Sequence, residues 1–229
     1  MSPSSIHTIT GALAVTFCIA ASATEASAQE LNLANTTVDR PNLVHVRTGL
    51  EHGFTAQLGY DRVLSVSDRM LIVGFELGMP WAEPDLGDVQ LRLGASMPLV
   101  ERGPWKVSAR LGPTLRSADT AASRMTSIGA DLRVAAGYYR RRGFVAADAG
   151  LDWAAATYIR SSDEYRMRIY ADAEDGWYSS TGGTIRAGVQ AGVSLTRFDV
   201  VARAGRTFAI DFDSQTVPFY ATLGLNFAH

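Results

Sequence analysis

The chain has 229 residues, and its 21 basic and 23 acidic side chains leave a formal charge of −2. That balance excludes the cationic surface of a nucleic-acid binder and the long acidic run of a solvating tail. The single cysteine, Cys18, excludes a disulfide framework, and Lys occurs once, as Lys106, so positive charge rests on Arg, whose planar fork suits fixed, partly buried ion pairs.

The N-terminus reads as a secretory leader. Gly11 to Ser22 form an apolar core too short to span a bilayer as a helix. Ala26-Ser27-Ala28 supplies the small-x-small pattern, which places cleavage before Gln29 and makes residues 1–28 a signal peptide. The first ten residues carry no Lys or Arg, and Phe17 precedes Cys18 where a lipid-attachment site needs a small residue. Removing the leader takes away Cys18, hence thiol chemistry and a Cys-ligated zinc. It also takes away Glu25, leaving 21 basic against 22 acidic side chains.

A polar lead, residues 29–42, comes next, and period-two alternation then recurs from Leu43 nearly to the end. Val44 to Tyr60 reads as one long strand or a hairpin around Glu51-His52-Gly53. Val73 to Trp81 alternates with Glu76 and two glycines. Asp88 to Met97 places Val89, Leu91 and Leu93 on one side and Asp88, Gln90 and Arg92 on the other. Trp105 to Leu115 repeats the pattern with Arg110 and Gly112 on the polar side. Ile128–Tyr139, Val145–Ala155, Thr184–Leu195, Phe198–Gly205 and Phe219–Phe227 follow suit. Successive strand side chains point to opposite faces, so each segment has one apolar and one polar face.

The connectors alternate in length. Ser65–Arg69, Val100–Pro104, Arg140–Gly143 and Thr196–Phe198 are short. Ala82–Gly87, Ser117–Thr126, Tyr158–Gly183 and Ala209–Pro218 are long. This is the signature of an antiparallel up-and-down barrel with one trimmed and one elaborated rim. With both termini at the short-turn rim the strand count is even. Splitting the first segment gives ten strands, and losing the weakest pair gives eight; ten is the expected number.

Alternation alone does not choose between a soluble barrel and a membrane one. The polar faces carry Glu76, Asp88, Arg92, Arg110, Asp131, Arg133, Asp148, Asp152, Arg186 and Arg203, with many glycines between them. Glycine weakens a solvent-facing strand but makes room in a narrow lumen for Arg opposite. The apolar faces are Ala-, Val- and Leu-rich, with Trp81, Trp105, Tyr138, Phe144, Trp153, Phe198, Phe219 and Phe227 near strand ends, as in an interfacial girdle. The strands have the length of about 9–11 residues that crosses a bilayer.

The tail Phe219-Tyr-Ala-Thr-Leu-Gly-Leu-Asn-Phe227 resembles the C-terminal signal strand of bacterial outer-membrane β-barrels, here followed by Ala228 and His229. That resemblance, generic to the class and spanning Leu43 to Phe227, implies a transmembrane barrel in the outer membrane of a Gram-negative bacterium. Outer-membrane lipid would surround it, and the barrel-assembly machinery would be engaged through the last strand.

The candidate chemistry is sparse. Lumen charges of both signs in comparable numbers point to an interlocked network filling a narrow interior rather than to a single-sign pore. The segment Tyr158–Gly183 interleaves acids and aromatics, and Asp163, Tyr165, Tyr170, Asp172, Asp175, Trp177 and Tyr178 are its interaction candidates. Its acids Asp172, Glu174 and Asp175 match no EF-hand spacing. The plainer expectation is that Tyr165, Tyr170, Trp177 and Tyr178 pack together over the barrel mouth. The mature chain offers only His45, His52 and His229 to a lipid-acting hydrolase, with Glu51, Ser161 and Ser162 as conceivable partners. No G-x-S-x-G, H-E-x-x-H, P-loop or dinucleotide fingerprint occurs.

The expected function is therefore non-enzymatic, without a metal or cofactor: an envelope-structural or surface-interaction barrel acting through its long loops. A narrow pore, a lipid-acting hydrolase and a soluble periplasmic barrel are the alternatives.

Overall fold

The computed structural model of the protein describes residues 30–51, 53–67, 69–81, 87–210 and 218–229. The expected leader, residues 1–28, lies outside the described residues.

Ten strands follow in chain order: β1 (Asn42–Leu50), β2 (Phe54–Val66), β3 (Arg69–Pro80), β4 (Val89–Arg102), β5 (Trp105–Asp119), β6 (Ser123–Arg140), β7 (Gly143–Ser161), β8 (Gly176–Ser194), β9 (Phe198–Ala209) and β10 (Phe219–Ala228). One short helix, α1 (Asp163–Arg168), interrupts the last long connection but one. Each strand pairs antiparallel with its chain neighbours, and β1 closes on β10. Asn42 and His229 exchange backbone hydrogen bonds of 3.2 and 3.0 Å, so both ends of the barrel segment meet at one rim. Ten strands, up-and-down order and the even count agree with the sequence.

The expected loop lengths need two corrections. Ser117–Thr126 is mostly ladder: Ser117, Ala118 and Asp119 pair with Thr126, Met125 and Arg124, and only a tight turn remains, closed by Thr120. Tyr158–Gly183 is likewise consumed from both ends, because β7 runs on to Ser161 and β8 begins at Gly176. At 18 and 19 residues, β6, β7 and β8 are far longer than β1 or β10 at 9 and 10, so this side of the barrel rises above the rest.

The faces sort as the alternation predicts. Arg92, Arg110, Arg186 and Asp131 point into the barrel and are at most 1% exposed, whereas Leu111 is 60% and Leu223 55% exposed on the outside. Trp105 and Tyr138 meet edge to face on the exterior, with centroids 5.5 Å apart. Phe144 is a correction: it points inward and stacks on Tyr139 at 5.2 Å. Val145 is exposed, so the period-two rule turns its neighbour Phe144 into the lumen.

Close approach explains two of the lumen glycines. A Cβ at Gly59 would lie 1.9 Å from the His45 ring, and one at Gly224 would lie 2.9 Å from Arg47 Cγ. A side chain at either position would displace the ionic group opposite it.

The N-terminal lead folds into the barrel. Leu31 and Leu33 are buried with Leu43, Val63, Ile72, Tyr139, Phe144 and Val201 in a small apolar core at the short-turn rim. Asn32 donates to Arg140 O (2.7 Å) and Ser194 Oγ (2.8 Å), and Lys106 donates to Leu33 O (3.1 Å). Burying a leucine side chain contributes about 1.5–3 kcal/mol, so Leu31 and Leu33 hold a segment whose polar groups the turns already satisfy.

Candidate functional site: the ion-paired lumen

The centre of the barrel is a continuous charge network. Glu76 of β3 faces Arg92 of β4 across the ladder, and their side chains join at 2.6 Å. The same carboxylate pairs with Arg47 of β1. Arg92 continues to Glu51 at 2.9 Å, and Glu51 to Arg186 of β8 at 3.2 Å. Arg186 reaches Asp131 of β6 at 2.8 Å, which also holds Arg110 at 2.9 Å and Arg133 at 3.0 Å.

Toward the short-turn rim, Glu30 of the lead pairs with Arg47 at 2.9 Å and with Arg203 of β9 at 3.5 Å. Arg203 pairs with Asp148 of β7 and lies 4.6 Å over the Tyr220 ring, whose hydroxyl donates to Asp148 at 3.3 Å. His45 sits 3.1 Å from Asp61 and 3.8 Å from Glu76.

Among the described residues, seven carboxylates (Glu30, Glu51, Asp61, Glu76, Asp131, Asp148, Asp152) thus meet six guanidiniums (Arg47, Arg92, Arg110, Arg133, Arg186, Arg203) and the His45 ring, which is the partner of Asp61. A near-balanced set pairs internally, whereas a selective pore carries an excess of one sign. Desolvating these charges is tolerable because every one except Asp152 has an ionic partner at hydrogen-bond distance.

Nine of the ten lumen residues expected from sequence belong to this network. Asp88 does not: it is half-buried just before β4 and lines a cleft at the long-loop rim beside Glu51, Gln57 and Arg116. Sequence reasoning missed Glu30, His45, Arg47, Glu51 and Asp61 as network members. For His45, Arg47 and Asp61, strict period two from Leu43 was the available signal. Glu30 and Glu51 lie outside the strands, and no periodicity marks them.

The long-loop candidates divide. Ser162 caps α1 by accepting from Tyr165 N and anchors it to the β5–β6 turn by donating to Ala121 O at 2.9 Å. Asp175 takes the Arg166 guanidinium and the Ser161 N–H (2.8 Å). These two donors hold its carboxyl below the ordinary value of 3.8. Its oxygens therefore serve an ion pair and a backbone contact. Asp163 and Asp172 are exposed.

Tyr165, Tyr170 and Tyr178 border one cavity of about 290 Å³, but Tyr170 and Tyr178 remain 56% and 43% exposed, so the expected packed aromatic group is replaced by a shared, open hollow. Trp177 is the correction: it lies on the outer face against Tyr158, centroids 5.5 Å apart. Neighbouring strand positions cannot share a face, so Trp177 and Tyr178 part company.

The hydrolase candidates do not converge. His45 is fully buried among carboxylates, His229 is tied to Asn42 by its backbone, Glu51 points into the network, and Ser162 is used as a cap. His52 lies outside the described residues. Comparison with the known protein families finds no match, and none of the curated proteins compared with the chain matches it.

Proposed function

We propose that this chain is a non-enzymatic outer-membrane β-barrel of a Gram-negative envelope. Its lumen is a filled structural core, and its elaborated rim acts at the cell surface. The observation that carries this reading is the inversion of polarity: ionic side chains fill the interior, while Leu, Val and aromatic side chains cover the exterior. In water, an apolar belt of that extent would far exceed the few hundred Å² that soluble monomers expose. In a bilayer the same belt is the stabilising contact, and a closed ladder leaves no strand edge unpaired in lipid.

In this reading the short-turn rim with both strand termini faces the periplasm, and the palisade of β6, β7 and β8 faces outward. The leader exports the chain, the Phe219–Phe227 strand engages the barrel-assembly machinery, and lipid surrounds the belt. The buried network supports a plug rather than a conduit, since water does not reach Arg92, Arg110 or Arg186. The test is to express the full chain with its leader and separate the membranes by density. Recovery in the outer-membrane fraction, with a heat-modifiable gel mobility, is expected. Recovery in the periplasmic supernatant without detergent would refute the assignment.

A further inference from the structure

The long-loop mouth of the barrel contains a cavity of about 510 Å³, within the size range of small-molecule sites. Its shape follows from the strand registers. In one row, Gln90, Arg116, Ser127, Thr157 and Tyr178 stand side by side on β4 to β8. The row beneath continues from Thr114 to Gly129, Ala154 and Gly182. These short side chains create the hollow under the polar belt. Asp152 and Thr184, paired on β7 and β8, form the floor. Met125 and Ile159, paired on β6 and β7, form an apolar lip above the belt.

Two of the three register shifts among the described ladders fall here, the third lying at Pro98–Val100 in β4. β7 carries one extra residue, Ala155, opposite the Ile128–Gly129 step, and the β7–β8 register shifts between Ala154 and Ala156. Bulges re-aim side chains and cluster beside sites.

The floor carboxylate differs from the rest of the network. Asp152 meets its nearest cations, Arg186 and Arg92, only at 3.9 and 4.0 Å, and its side chain retains 17% exposure. Gln90 reaches it from the belt at 3.5 Å. Arg116, half-buried on β5 between this cavity and the cleft that carries Asp88, forms no ion pair among the described residues. One cup therefore presents an incompletely compensated carboxylate below, a guanidinium at the side and an apolar lip. The two charged positions lie two strands and two rows apart, on the order of 15 Å between Cα atoms. A ligand that engages both groups must bridge that interval.

We infer that this cup binds a small zwitterion, an amino acid or dipeptide with a free ammonium and a free carboxylate and an apolar side chain. The ammonium donates to Asp152, the carboxylate accepts from the Arg116 fork, and the side chain rests on Met125 and Ile159. The cup exists wherever the barrel resides, so the inference stands apart from the membrane assignment.

The experiment is calorimetric titration of the refolded full chain in detergent with the free dipeptide Ala-Phe, its N-acetylated and C-amidated forms, and maltose. Saturable binding of Ala-Phe is expected, with loss of about tenfold or more on capping either end, because each cap removes a charge-assisted contact. Arg116→Gln is expected to abolish the discrimination between free and amidated carboxyl while keeping that between free and acetylated amine. Asp152→Asn should do the reverse, and Thr114→Phe should fill the cup and abolish binding. Arg116 lies outside the ion-pair network, so R116Q keeps the test open even if D152N fails to fold. No saturable binding, equal binding of the capped forms, or maltose binding indifferent to R116Q would each overturn the inference.

Discussion

Glu76 and Arg92 are directly opposite on β3 and β4, and their side chains close at 2.6 Å in the middle of the lumen. The pair is a junction: Glu76 also holds Arg47, and Arg92 also holds Glu51. Removing one partner therefore strands several charges at once. Arg92→Met is expected to destabilise the refolded barrel by about 3–5 kcal/mol, the usual cost of breaking a buried ion pair. The E76Q/R92Q double variant should lose less than the sum of its singles, since contacting residues couple. Urea unfolding of both singles and the double in the same detergent checks this; strict additivity would mean that the two groups act independently.

The exterior gives a prediction of different size in the two environments. Leu111 lies near the middle of β5 and is 60% exposed. Leu111→Arg should cost about 2–4 kcal/mol in lipid vesicles, as a charge placed at the midplane does. On a water-facing strand the same change stays within about 0.5 kcal/mol. Vesicle folding titrations of the parent and the variant separate the two, and an unchanged midpoint for L111R would count against the membrane assignment.

Most of the architecture was legible because a lumen and an exterior of opposite polarity impose one rule on every residue of a strand. Val89 to Met97 and Val145 to Ala149 obey it without exception. It fails where the backbone breaks step. Ala155 inserts an extra residue in β7, so Trp153 and Tyr158 both face out although their numbers differ in parity. Phe144 departs from the preference of aromatics for the outer face of strand ends, because its parity with Ala146 places it inside. The site was less legible than the barrel. Glu30 and Glu51 come from segments without periodicity, and the cup depends on small residues of several strands falling in one row, a relation that exists only once the registers are fixed.

The lead segment supplies a third expectation. Glu30 brings one of the carboxylates that face Arg47 and Arg203, and Leu31 and Leu33 fill the short-turn end. Deleting residues 30–40 should leave both arginines undercompensated and remove the apolar seal. Single-channel recordings in planar bilayers are expected to stay silent for the intact chain and to show discrete openings for the deleted one. A silent deleted chain would indicate that the strand-borne charges alone close the lumen.

The long loop should respond to pH through Asp175. Its carboxyl lies below 3.8 in the folded protein because it accepts from the Arg166 guanidinium and from Ser161 N–H. A depressed folded value means that the ionised form is favoured by folding. The ordering contribution is therefore complete above the ordinary carboxylate range and is lost as the pH falls through the depressed value. Both partners are solvent-exposed, so salt screens the pair and the effect is local to the loop. Amide hydrogen exchange at Ser161 should show constant protection between about pH 5 and 8 once corrected for intrinsic rates, and release at lower pH. Asp175→Asn should release the same amide at neutral pH while leaving the exchange of lumen-strand amides unchanged. Protection at Ser161 that survives both acid and D175N would show that the contact of Ser162 with the β5–β6 turn, rather than the ion pair, holds the loop in place.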